Sequence, residues 1–339
     1  MPKTKPLSIG LIGAGRIGSF HGETVARRLV DADLVAIADP APGAASKLAE
    51  KLDVDAVYTD IADFLAHPGL DGVIIATPAR FHTNVLVQAA EAGKAIFCEK
   101  PMALTLEEAD RAVAAARAAG VPLQVGFNRR WDQAFAEGRA AIDAGKIGTP
   151  QLIRSLTRDP GPFGADPDKI PLWTIFYETL IHDFDTLLWL NPGARPVEVY
   201  AAADALVRPD SRSKGFLDTA VVTIRFDNGS VAVAEANFSA LYGYDIRGEV
   251  FGSGGMVTMG DVRRSSMTLF DAEGVSNDTW RRDTDHFIHG YTAQLASFVR
   301  TIRSGDISGS PSGADARNAL AVALACIESV KTKTVVSIA

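Results

Sequence analysis

The sequence predicts an α/β chain of two domains. Residues 1–125 should form a doubly wound parallel sheet. Residues 126–339 should form an α+β domain with a large, mostly antiparallel, open-faced sheet. Three observations predict this. Short apolar runs alternate with helix-like stretches up to Phe127, the pattern of strands covered on both faces by crossover helices. From Val197 onward strand-like runs follow one another without helices between them, which implies antiparallel pairing. The length, 339 residues, suits two ordinary domains.

Leu7–Ile12 is the first apolar run. It ends at Gly13-Ala14-Gly15-Arg16-Ile17-Gly18, and a helix-like stretch, Ser19–Val30, follows. Strand, glycine turn and helix form the setting of a dinucleotide-binding Rossmann unit. Gly13 allows the tight turn, Gly15 lets backbone approach a pyrophosphate, and Gly18 permits close helix–strand packing. Arg16 and Ile17 lie in the same turn, and the helix start offers N–H groups to phosphate. A second strand, Asp33–Ala38, ends at Asp39, 21 residues after Gly18. A carboxylate there accepts hydrogen bonds from the ribose diol. Asp39 would repel a 2′-phosphate, which favours NAD; Arg16 offsets part of that repulsion, so NADP stays open.

Further strands are expected at Ala56–Tyr58, Gly72–Ala76, Ala95–Cys98 and Pro122–Phe127, with helices at Gly43–Lys51, Ile61–Ala66, Arg80–Ala92 and Leu106–Ala119. In such sheets ligands sit outside the carboxyl ends of the strands. That directs attention to Thr77, Pro78, Glu99, Lys100 and Arg129 as cofactor-side residues. His82 opens the helix after Thr77-Pro78; it is either a cofactor contact or an ordinary polar helix start. Lys100 is either a surface lysine paired with Glu99 or a cation beside the reacting carbon that favours alkoxide character.

In the second half a helix is expected over Arg129–Gly145 and a strand over Gln151–Thr157. The Pro/Gly-rich loop Asp159–Pro171 is long enough to be functional and is read as a rim over a substrate. Trp173–Leu190 follows, with apolar residues at helical spacing and a charged set, Glu178, His182, Asp183 and Asp185. On an α-helix Glu178 and His182, four apart, share a face. That is either a solvated stripe or a general base oriented by an acid. Strands are then expected at Val197–Leu206, Leu217–Phe226, Ser230–Ser239, Gly243–Phe251, Met256–Met259 and Ser266–Phe270. Asp227-Asn228-Gly229 is a hairpin turn. Helices His286–Ile302 and Gly313–Val330 close the chain. Val222 and Ile224 are expected on a sheet face that helices leave uncovered, which would serve as an oligomer interface.

Composition removes several function classes. A net charge of −7 offers no basic face for nucleic acid. Cys98 and Cys326 lie far apart without metal-ligand spacing, so no structural zinc site is expected. His182, Asp183 and Asp185 could be read as a metal site, but no further His or Cys is spaced to complete it. No stretch approaches the roughly 20 apolar residues of a membrane span. The N-terminus has no secretory pattern, and a cytoplasmic enzyme or binding protein is the expectation.

Taken together, GAGRIG at 13–18, IADP at 37–40, ATP at 76–78, CEKP at 98–101, GFNRR at 126–130 and IHDFD at 181–185 resemble the Gfo/Idh/MocA oxidoreductase family. The likeness runs from about Leu7 to about Val330 and is greatest to the inositol 2-dehydrogenases. It rests further on Thr157-Arg158-Asp159-Pro160, on Tyr242-Gly243-Tyr244-Asp245 and on Phe287 to Tyr291. The resemblance implies a cytosolic, usually tetrameric NAD(P)-dependent dehydrogenase of cyclitols or sugars. It places the hydroxyl-polarising lysine on Lys100 and the general base on His182. Its third partner, an Asp, falls on Glu178, one methylene longer. Two glycines that often open this helix are here Trp173 and Thr174, which puts a bulky ring at the substrate rim. Asp159, Tyr244 and Tyr291 are candidates for other substrate hydroxyls, though each tyrosine could equally be core packing. No metal is needed. A non-catalytic NAD-binding sensor, or an NADPH-linked ketosugar or imine reductase, are the alternatives.

Overall fold

A computed structural model describes residues 5–161 and 170–338. The chain falls into two compact units. One comprises residues 1–128 and 289–317, the other residues 129–288 and 318–339.

In the first unit β1 (Leu7–Ile12), α1 (Arg16–Arg28), β2 (Ala32–Ala38), α2 (Ala44–Leu52), β3 (Ala56–Tyr58), α3 (Ile61–Leu65), β4 (Gly72–Ile75), α4 (His82–Glu91), β5 (Ala95–Cys98), α5 (Leu106–Ala119) and β6 (Leu123–Val125) follow in order. The strands pair in parallel as β3-β2-β1-β4-β5-β6. Residues of β4 and β5 are buried throughout, as a sheet sandwiched between helices requires. The order reverses between β1 and β4, the switch point at which such sheets hold ligands beyond the strand ends.

The boundary differs from the expected split after residue 125. The late helix Ile288–Ser304 sends Leu295, Phe298 and Val299 into the core that also holds Ile9, Leu11, Ile74 and Phe97. Gln124 donates to the Gln294 carbonyl at 2.9 Å, and Val125 N–H donates to Pro311 O at 2.9 Å. The return of a helix from far along the chain (Gln294 is 170 residues from Gln124) leaves no local sign in the sequence, because its apolar stripe does not say which sheet it covers.

The second unit contains α6 (Gln133–Asp143), β7 (Pro150–Arg158), a π-helical segment (Ile175–Leu180), α7 (Ile181–Trp189), β8 (Pro196–Asp204), β9 (Thr219–Phe226), β10 (Val231–Asn237), β11 (Asp245–Gly252), β12 (Gly255–Met259), the hairpin β13 (Arg263–Asp271) and β14 (Gly274–Thr279), and the edge strand β15 (Val336–Ser337). The main sheet runs β12-β11-β7-β10-β9-β8-β15. Its pairs are antiparallel except β10 with β7. The single helix expected over Arg129–Gly145 is instead a 3-10 turn, Asn128–Trp131, followed by α6. Asp132 causes the break: its carboxylate accepts from Ala134 N–H and Phe135 N–H and caps a new start.

α7 and the π segment pack on β7 and β10. Val222 and Ile224, expected on the uncovered face, are instead fully buried beneath that layer. Strand side chains alternate, so an error of one position moves the whole set to the opposite face. The open face carries Tyr200, Val221, Leu152, Val231 and Phe251, interleaved with the ion pairs Arg225–Glu198 and Arg154–Glu235.

Candidate active site

The first unit gathers most of the expected cofactor-side residues at the carboxyl ends of β1, β2, β4 and β5. Gly13 follows β1 with φ +102°, where a side chain would be strained. A Cβ on Gly18 would come within 1.9 Å of Gly13 O, so only glycine lets α1 start this close to the turn. Gly15 differs. A Cβ there would meet nothing within 4 Å, and no side chain caps the α1 N-terminus. The space beside Gly15 at this helix start leaves room for a pyrophosphate to approach the backbone. Arg16 is exposed at the helix start and Ile17 is half-buried behind it.

Asp39 follows β2. Its carboxylate is pinned by Ala14 N–H at 2.7 Å and Ala41 N–H at 2.8 Å, and its unused lone pairs can still accept from a diol. Thr77, after β4, has a buried hydroxyl with no hydrogen-bond partner among the described residues, and Pro78 lies exposed beside it. An uncapped helix start, an open Gly15, an oriented carboxylate and an orphaned hydroxyl fit a dinucleotide.

Three side chains expected to touch the cofactor are committed elsewhere. His82 is buried, with Nδ1 2.8 Å from Pro101 O and Nε2 2.7 Å from Thr77 O. Glu99 is buried; its Oε1 accepts from His21 Nε2 at 2.6 Å and its Oε2 from Lys100 N–H at 3.1 Å. Burial pushes the Glu99 carboxyl up, but the hydrogen bond and charge of His21, then Lys100 and His82, outweigh it and hold the group below the usual range. Arg129, in the second unit, is only 3% exposed. Its guanidinium donates to Asp183 at 2.8 Å and Thr157 at 2.6 Å, so it has no surface left for a phosphate.

His21 was not expected. It lies three residues after Gly18, on the face of α1 that the glycine brings against the sheet, and Phe97 lies edge-on to it at 5.6 Å. Tyr291 also lies in this unit, edge-on to Phe20 at 5.1 Å and His21 at 5.8 Å. That places its ring in the aromatic packing around His21. Cys98 is buried; burial and then the Glu99 charge push its thiol far up, which removes it as a nucleophile.

In the second unit His182 is half-buried near the start of α7, and Glu178 is half-buried in the π segment. The acids beside His182 are structural. Asp183 accepts from Arg129, from Ser155 Oγ at 2.6 Å and from Thr157 Oγ1 at 2.7 Å. Asp185 takes Arg130 in a two-pronged pair at 2.9 and 2.5 Å. Both are buried. Among the described residues no cluster of His, Cys, Asp and Glu could hold a metal ion.

Trp173 has φ +61°, a left-handed position at which glycine is the unstrained choice. Its ring lies 6.3 Å from Phe176 and beneath Lys331 Nζ at 5.5 Å. Asp159 turns its carboxylate onto Gly161 N–H at 2.6 Å. Tyr244 bridges to Trp280 through its backbone. Most of the expected rim, residues 162–169, lies outside the described residues.

Residues 7–127 match the model of an oxidoreductase family with an NAD-binding Rossmann fold, and residues 135–258 match the GFO/IDH/MocA C-terminal domain. The chain is 35% identical to myo-inositol 2-dehydrogenase of Thermotoga maritima, over 96% of this chain and 97% of that protein. It is 36% identical to inositol 2-dehydrogenase of Rhizobium meliloti, over 97% and 98%. Among solved structures, scyllo-inositol dehydrogenase from Lactobacillus casei with bound cofactor NAD(H) and scyllo-inositol superposes with a TM-score of 0.93 at 27% identity, covering 98% of this chain and 99% of that one.

Proposed function

Since the chain belongs to the Gfo/Idh/MocA family of NAD-binding oxidoreductases, we propose that it is an NAD-dependent dehydrogenase that oxidises a ring secondary hydroxyl of a cyclitol or sugar to the ketone. Inositols are the first substrate class to test, because the relatives above are named for them. The observation that carries the reading is Lys100. It lies just past the carboxyl end of β5, with its backbone held by the buried Glu99. The turn that carries it belongs to the same sheet end as the Gly13–Gly18 turn and Asp39.

Gly13, Gly15, Gly18, Asp39 and Thr77 would hold NAD, which supplies the hydride acceptor when bound. Lys100 binds the reacting hydroxyl through its ammonium group and stabilises the oxygen as negative charge develops. His182 takes the hydroxyl proton as a general base, a role that suits an imidazole near neutral pH. Glu178 orients His182 or accepts from a neighbouring substrate hydroxyl. Trp173, Asp159, Tyr244 and Tyr291 are the remaining substrate-side candidates. The open sheet face, with Tyr200, Val221, Leu152 and Phe251 exposed, is read as the homotetramer interface of a cytoplasmic enzyme.

The test is a panel of inositol isomers and monosaccharides with NAD or NADP, read at about 340 nm where the reduced nicotinamide absorbs. Turnover should favour NAD, and Lys100→Ala should abolish it while keeping cofactor affinity. Unchanged turnover in that variant would overturn the proposal.

A further inference from the structure

We propose that His82 is a positioning residue for Lys100: a buried imidazole carrying both ring protons, which straps the Thr77 turn to the Lys100–Pro101 turn. The inference rests on the reading of Lys100 as the group that binds the reacting hydroxyl.

The hydrogen-bond inventory carries it. His82 is 1% exposed. Its Nδ1 lies 2.8 Å from Pro101 O and its Nε2 lies 2.7 Å from Thr77 O. These two partners are backbone carbonyls, which only accept. A neutral imidazole has one N–H and one bare lone pair. In the neutral state one nitrogen would therefore face a carbonyl lone pair to lone pair at under 3 Å, away from water. With both protons present, each nitrogen donates and both carbonyls are satisfied.

The surroundings supply the counter-charge. Glu99, at the end of β5, is buried as a carboxylate, and His82 is among the groups that favour its charge. Lys100 and His21 bear on the same carboxylate from the β5 end and from α1. α4 itself brings no acidic residue in its first turn. Glu99 is thus the anion of the turn, on which Lys100, His21 and His82 all bear.

The consequence is mechanical. Lys100 is held on both sides of its backbone. Behind it, Lys100 N–H is fixed by Glu99, which His21 holds in turn. Ahead of it, the next residue's carbonyl is fixed by His82. The same ring fixes the carbonyl of Thr77. The lysine and one wall of the proposed nicotinamide site therefore share a single brace. A displacement of about 1 Å at a reacting group can cost on the order of 100-fold in rate, so the brace should be visible in kcat.

The test uses full-length protein labelled with 15N-histidine, without cofactor. At a pH near 7.5, above the ordinary histidine range, the His82 ring should give two protonated nitrogens in a long-range nitrogen–proton spectrum. Assignment is by loss of the signal in His82→Gln. Where that variant does not fold, the other five histidines are substituted singly and His82 is assigned by elimination. In His82→Gln, kcat should fall about 10- to 100-fold, more than NADH affinity falls in a direct titration. A ring with one proton at that pH overturns the strap. A kcat within about twofold of the parent overturns the positioning role. If Lys100→Ala keeps its turnover, the reading of Lys100 fails and the positioning role fails with it, while the ring spectrum still decides whether the strap exists.

Discussion

Removing Asp183 should separate a structural acid from a catalytic one. Asp183 is fully buried, and Arg129 is 3% exposed. The carboxylate takes the guanidinium at 2.8 Å and the hydroxyls of Ser155 and Thr157 at 2.6 and 2.7 Å. Arg129 also donates to both hydroxyl oxygens, at 3.4 and 2.6 Å, so the four side chains close into one network. Asp183→Ala leaves a buried guanidinium without its anion. Breaking a buried pair from one side costs about 3–5 kcal/mol. The two hydroxyls still accept from Arg129, which places the expectation near the lower end, about 3 kcal/mol. For a unit of this size, roughly 180 residues, each kcal/mol is worth about 2–4 °C in Tm. The second unit should therefore melt about 6–12 °C lower in calorimetry. Arg129→Met/Asp183→Leu, which removes both charges and fills their space, should recover more than half of that loss. A Tm within about 2 °C of the parent, together with a large fall in kcat, would refute the structural assignment and make Asp183 part of the chemistry.

The two glycines of the first turn should fail in different ways. Gly18→Ala drives a methyl to 1.9 Å from Gly13 O and should lower Tm, whereas Gly15→Ala meets open space and should leave Tm unchanged while NAD affinity falls at least tenfold in a fluorescence titration. His286 is pushed down to about 4, first by burial and then by Arg129, with Asp245 opposing. Because the folded value lies below the unfolded one, stability is full above about pH 6.5 and is lost as pH falls toward 4, by at most about 3 kcal/mol. Urea titrations of His286→Phe should lack that slope between pH 7 and 4.5. Trp173→Gly should relieve about 1–2 kcal/mol of left-handed strain while losing the contacts to Phe176 and Lys331. Its net Tm change should stay within about 4 °C, and a shift in substrate KM should accompany it if the ring lines the site.

The first unit was readable because its signals are local. Apolar runs placed β1, β3 and β5 within a residue, and the glycine turn announced its ligand class. What the sequence could not convey was which partners close a buried polar group. Glu99 and His82 follow strands and start helices like cofactor contacts, yet their partners, His21 and Pro101 O, are 78 and 19 residues away. Arg129 misled for the same reason, since Asp183 lies 54 residues on. The face error at Val222 and Ile224 arose from judging apolar character without knowing which side the helices cover. Trp173 was legible in part: a departure from glycine at a helix start marked the place where the backbone is left-handed.

The π segment changes the geometry between Glu178 and His182. An α-helix repeats near 3.6 residues and sets residues four apart on one face. A π turn carries its hydrogen bonds from i to i+5 and so holds one extra residue per turn. Ile175–Leu180 winds in that way before α7 continues as α-helix from Ile181. Part of the interval from Glu178 to His182 is therefore wound more widely, so four residues there come nearer to one full turn than the slight overshoot they make on a pure α-helix. Such segments cluster at functional sites because the extra residue re-aims side chains without ending the helix. The apolar stripe conceals it, since Ile175, Phe176 and Leu180 remain buried in either winding. The spacing in the sequence set Glu178 and His182 four apart on what read as one α-helix, while the rotation between them is set by a backbone irregularity that no residue type encodes.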